Sequence, residues 1–145
     1  MKVLNESEEK LLNLMKQWQK IEDTSIQNTT DIIVTTENPL VQLIMEVIRQ
    51  DSVMHRRVQQ MILDNYEKEP INVAPKELSA FWDMVEAHDT VEKQTIVIAE
   101  EAYNETKQPL IKYLLSFLLN DEKKHDKLLD ELDKIRKGDF PYNNH

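Results

Sequence analysis

Apolar residues recur along this chain at intervals of three and four, the spacing of one face of an α-helix. Leu4, Leu11, Met15, Trp18, Ile26 and Ile33 form the first stripe and predict a helix over residues 5–34, loosened near Thr29-Thr30 and Thr35-Thr36. Asn38 suits an N-cap, and Pro39 suits the first helical position, where a missing N–H costs nothing. A second helix therefore spans 38–66, with Leu40, Ile44, Val47, Val58 and Ile62 on its apolar face. Pro70 and Pro75 punctuate a linker from Glu67 to Lys76. Leu78, Phe81, Trp82, Val85, Ile96 and Ala99 predict a third helix over 77–104. The fourth, over 108–137, opens at Gln108-Pro109, carries Ile111, Leu114, Leu115, Leu118, Leu128, Leu129, Leu132 and Ile135, and stops at Gly138. Residues 139–145 read as a loose tail. Four amphipathic helices, each about 40 Å long, predict a single all-α bundle domain over residues 1–145.

The pattern repeats. Residues 39–62 and 109–132 correspond at an offset of seventy, from Pro39-Leu40-Val41 and Pro109-Leu110-Ile111 through to His55 and His125. The same offset relates Glu22 to Glu92, so it extends to the first and third helices. Two repeated helical hairpins are expected. The linker spans roughly 33 to 46 Å fully extended, enough for a crossover between helices two and three, and its prolines favour an extended path.

Composition narrows the function classes. A single glycine leaves few tight turns and favours long helices over sheets. A net charge of −9 argues against nucleic acid, which needs a basic surface. The absence of cysteine removes disulfides, thiolate zinc sites and thiol nucleophiles. The acidic start lacks the apolar run of a signal peptide, and no stretch approaches the roughly 18 apolar residues of a membrane span. The expectation is a soluble cytoplasmic protein with no membrane partner. The patterns at Asn28-Thr29-Thr30 and Asn104-Glu105-Thr106 then read as chance matches to a glycosylation site.

The chemistry lies in gaps of the apolar stripes. Between Val47 and Val58 the inward positions are Asp51 and His55, with Ser52 beside them. Between Leu118 and Leu128 they are Asp121, Glu122 and His125. Glu22 interrupts the first stripe and Glu92 the third, each near mid-helix. Taken singly, Glu22 reads as a salt-bridged glutamate and His55 as a satisfied core histidine. Taken together, buried carboxylates are costly unless paired or metal-bound, and residues three or four apart share a helix face. Oxygen donors with imidazole suit a divalent iron, manganese or zinc ion. Trp18, Phe81, Trp82 and Phe117 read as core packing, and Lys123-Lys124 and Asp126-Lys127 as a solvated face.

On these residues the chain resembles the ferritin-like superfamily, nearer the small rubrerythrin-like di-metal carboxylate bundles than the cage ferritins. That pattern sets one Glu on each of two helices and a Glu-x-x-His on each of the other two. Glu22 and Glu92 match the lone glutamates, and Glu122-Lys123-Lys124-His125 matches one complete motif. The other motif is degenerate, because Ser52 stands three before His55 where the pattern has Glu. Asp51, four residues before His55, is the candidate substitute. The resemblance implies metal ligands Glu22, Asp51, His55, Glu92, Glu122 and His125. A di-iron site, a mononuclear site held mainly by Glu92, Glu122 and His125, and an empty vestige all remain open. His88, one turn before Glu92, is an extra candidate whose repeat counterpart is Trp18.

The implied chemistry is ferrous iron oxidation, peroxide reduction or oxygen-dependent oxidation of a substrate. Without paired cysteines for a rubredoxin-like module, an oxidoreductase of this kind needs an external electron donor. A homodimer is compatible with the reading; a storage cage is disfavoured by the missing fifth helix and short tail. The alternative is a non-catalytic bundle with a vestigial metal site, acting in oligomerisation or partner binding.

Overall fold

The computed structural model describes residues 3–71 and 75–138. They form four helices, α1 (Glu6–Thr35), α2 (Pro39–Glu67), α3 (Pro75–Glu105) and α4 (Pro109–Lys137), with no strand among the described residues. The helices pair as α1 with α2 and α3 with α4, giving two hairpins. Each hairpin is a compact unit, the first over Met1–Ile71 and the second over Asn72–His145.

Sequence signals set the helix ends. At the start of α1, Asn5 Oδ1 accepts from the Glu8 backbone N–H at 2.8 Å and the Asn5 backbone N–H donates to Glu8 Oε1 at 3.2 Å, a reciprocal cap. Asn38 caps α2 by accepting from the N–H groups of Leu40 and Val41 at 2.9 and 3.3 Å. The two hairpin turns are built alike. Thr36 Oγ1 accepts from the Asn38 N–H at 3.1 Å, and Thr106 Oγ1 from the Gln108 N–H at 3.3 Å. Gly138 ends α4 in the left-handed region at φ 77°, where a glycine carries no Cβ penalty.

Two details differ from the sequence reading. Pro75 opens α3 instead of ending the linker, as proline's missing N–H allows at a first helical turn. α1 also stays helical through Thr29-Thr30. The Thr29 hydroxyl donates to the Ser25 carbonyl at 2.8 Å and the Thr30 hydroxyl to the Ile26 carbonyl at 2.7 Å, so both side chains bond their own helix. The expected tail over 139–145 lies outside the described residues.

The first hairpin's core is Leu12, Met15 and Leu63, with Leu4, Leu11, Ile62 and Tyr66 packed against it. In the second hairpin, Leu78 and Ala99 are buried. Two antiparallel helices bury only the facing stripe of each, so a second apolar stripe stays exposed. On α1 it carries Leu14, Ile21 and Ile32; on α3 it carries Met84, Val91 and Ile98. Trp18, Phe81 and Phe117 are also exposed, not packed inside as the sequence suggested, while Trp82 lies under the Arg136 guanidinium at 4.5 Å. No helix among the described residues is long and apolar enough to cross a membrane.

Candidate metal centre

The second hairpin gathers acid and histidine at mid-helix. Glu122 and His125, three apart on α4, share the face turned to α3, which supplies Glu92. Each of the three offers a ligand atom within 4.8 Å of the others. His125 Nδ1 lies 3.5 Å from Glu92 Oε1 and 3.8 Å from Glu122 Oε2. Its Nε2 lies 3.8 Å from Asp121 Oδ2. At that distance Asp121 makes no hydrogen bond to the ring, and it pairs instead with Lys124 at 3.0 Å. His88 Nε2 sits 2.8 Å from Glu92 Oε1, so this histidine does reach the cluster.

The electrostatics push the two carboxyl groups in opposite directions. A hydrogen bond with Glu92, then burial, then the Glu92 charge push the Glu122 carboxyl up from its ordinary range. That same hydrogen bond from Glu122 holds Glu92 below its ordinary range, with His88 and His125 adding to the effect against burial. Glu92 is 8% exposed, and its Oε2 is buried without a hydrogen-bond partner. An orphaned carboxylate oxygen beside a second carboxyl and an imidazole fits a divalent cation, which would supply the missing contact.

The first hairpin holds the same positions differently. Glu22 is buried, and its Oε2 lies 3.6 Å from His55 Nδ1, too far for a hydrogen bond and otherwise without a partner. Ser52, at 5% exposed, shares a 2.8 Å hydrogen bond with Ser25. The position that needs a glutamate for a complete motif is thus filled by a satisfied hydroxyl pair. Asp51 is exposed, with no hydrogen bond or ion pair to Glu22 or His55. Of the six residues singled out, the structure brings Glu92, Glu122 and His125 together, sets Glu22 beside His55, and leaves Asp51 apart from both groups.

Sequence reasoning missed a second polar layer at the next turn. Lys93 pairs with Asp89 and, at 3.0 Å, with Asp126, whose carboxyl it holds below the usual range. Asp130 lies within reach of both acids. In the first hairpin the seventy-residue counterparts are Gln19, Asp23, Arg56 and Gln60. Gln19 donates to Gln60 Oε1 at 3.0 Å, and Arg56 pairs with Asp23 at 2.8 Å. The ion pair is kept with its polarity reversed. Comparing the two halves position by position would have found it.

No family model, curated protein or solved structure matches this chain. The molecule is therefore classed by its own features: an all-α protein of two helical hairpins, one carrying a carboxylate–histidine cluster that can hold a metal ion, an arrangement consistent with a ferritin-like fold.

Proposed function

We propose that the chain is a ferritin-like metal-binding protein whose competent site is the Glu92, Glu122 and His125 cluster, with iron the leading candidate and manganese or zinc as rivals. The observation that carries this reading is Glu92, whose Oε2 is buried without a partner, within ligand reach of a second carboxyl and an imidazole. A bound ion would supply Lewis-acid chemistry, and redox chemistry if it is iron or manganese. The chain's own residues would do the rest. Glu92 and Glu122 would offset the ion's charge, both binding it as carboxylates. His88 would hold Glu92 Oε1 through its 2.8 Å hydrogen bond. Oxidase, peroxidase or iron-handling activity with an external electron donor is the corresponding functional proposal.

The test is metal analysis of the purified chain after loading with ferrous iron, manganese or zinc. One ion per chain, lost in Glu122→Ala and in His125→Ala, is the expected result. A chain that takes up no ion, or variants that bind as the parent does, would overturn the reading.

A second reading draws on Ser52. Its satisfied bond to Ser25 leaves the first half-site without its acid, and the exposed stripes through Leu14, Ile21, Met84 and Val91 supply association surface. A non-catalytic bundle used in oligomerisation or partner binding would then be the function. It predicts that Glu122→Ala stabilises the protein whether or not metal is added. A single folding unit over residues 1–145 belongs to both readings, and one calorimetric unfolding transition is its test.

A further inference from the structure

A cavity of about 280 Å³ lies on the first hairpin, lined by Met15, Trp18, His55, Val58, Gln59 and Ile62. Its walls are apolar except for His55 and the Gln59 amide. Gln59 is 3% exposed, yet no group among the described residues hydrogen-bonds its side chain, and its Oε1 is buried without a partner. Leaving an amide unsatisfied in an apolar setting is costly, and the fold does not require one there. The seventy-residue counterpart is Leu129, so the same hairpin geometry accepts a plain hydrocarbon at this position. A buried amide that architecture does not need, set in the wall of a cavity, marks a place for a ligand's polar group.

Size and lining define the ligand. The cavity is about twice the roughly 150 Å³ that takes up benzene, which is room for two fused rings. The Trp18 indole and the Met15 thioether offer the contacts aromatic rings favour. We propose that the first hairpin binds a small neutral fused-ring aromatic carrying one hydroxyl or N–H group, with that group donating to Gln59 Oε1. This site is separate from the Glu92, Glu122 and His125 cluster and does not depend on its metal.

The test titrates full-length, chelator-treated protein with 2-naphthol and with naphthalene by calorimetry. One hydrogen bond to a buried amide should make 2-naphthol bind about tenfold more tightly than naphthalene. Gln59→Leu installs the residue the second hairpin already carries, so it should keep its helical circular dichroism and bind the two compounds alike. Val58→Trp starts from a half-exposed position and should fill the cavity, losing both compounds while staying helical. The proposal is overturned if the parent binds neither compound or does not discriminate. It is equally overturned if Gln59→Leu still discriminates, or if Val58→Trp binds as the parent does. Should Gln59→Leu fail to fold, the parent's discrimination and the Val58→Trp result decide. Metal uptake is read separately, so failure here leaves the metal proposal standing.

Discussion

The two hairpins share their turn, their mid-helix glutamate and their histidine, but treat the third polar position in opposite ways. In the second, Glu122 brings a carboxyl to Glu92 and His125, its own carboxyl raised and that of Glu92 lowered, and Glu92 keeps an orphaned oxygen. In the first, Ser52 turns to Ser25, and Glu22 keeps only a distant imidazole. One residue type at one helix position separates a cluster that can hold a cation from a buried carboxylate that cannot gather a third donor. Two similar hairpins can thus share a fold while only one gathers ligands, because a small hydrogen-bonded hydroxyl pair fills, at little packing cost, the place that the other gives to an acid.

The largest effects should come from the second hairpin's donors. Glu92→Ala, Glu122→Ala or His125→Ala should each weaken metal binding by more than the roughly 10- to 100-fold that loss of a supporting group costs. Glu22→Ala and His55→Ala should leave uptake of the first equivalent nearly unchanged. Equal losses from both sets would erase the distinction between the halves. Ser52→Glu sharpens the same contrast. It breaks the Ser25 bond and buries a second acid beside Glu22, so the metal-free protein should lose about 1–3 kcal/mol. Elemental analysis should then show a second ion per chain, and unchanged metal content would sink the idea that residue 52 is what disables this half.

Smaller effects should follow from proton and surface charge. Because Glu122 is raised, the stability it contributes is complete below its ordinary value of 4.5 and is lost as pH rises through its folded value. Glu92 has the opposite sign: its contribution is present above 4.5 and lost as pH falls through its depressed folded value. Glu122→Gln keeps a donor for Glu92 and removes the charge. Metal-free Glu122→Gln should therefore melt a few degrees above the parent near neutral pH, with the gap closing on acidification. A gap that widened in acid would contradict the raised Glu122 carboxyl. The smallest effect should be at the reversed ion pair. Asp23→Lys or Arg56→Asp alone should shift the melting temperature by no more than about 2 °C, since both side chains are near half-exposed, and the double exchange should restore it. A double variant worse than either single would show the polarity to be held by something beyond the pair.

Most of the fold was legible because its causes are local. Asn38-Pro39, Gln108-Pro109 and Gly138 each set a helix end through backbone groups within a few residues. The metal cluster was legible in part, since an i, i+3 acid and histidine must share a face whatever lies opposite. The role of Ser52 was not. Its meaning depends on Ser25, twenty-seven residues away on another helix, and nothing in the spacing of α2 announces that partner. Trp18 and Phe81 were misjudged for a related reason. Helical period shows that a residue sits on an apolar stripe but not which of two stripes the hairpin buries.

The reversed ion pair also bears on how the chain finds its fold. Similar hairpins within one chain risk exchanging helices, since α1 and α3 offer alike apolar faces to α2 and α4. In the native pairs, Asp23 meets Arg56 and Lys93 meets Asp126. An exchanged pairing in the same register would set Asp23 against Asp126 and Lys93 against Arg56, like charge against like. Polarity at one turn of each hairpin thus labels which helix is the proper mate.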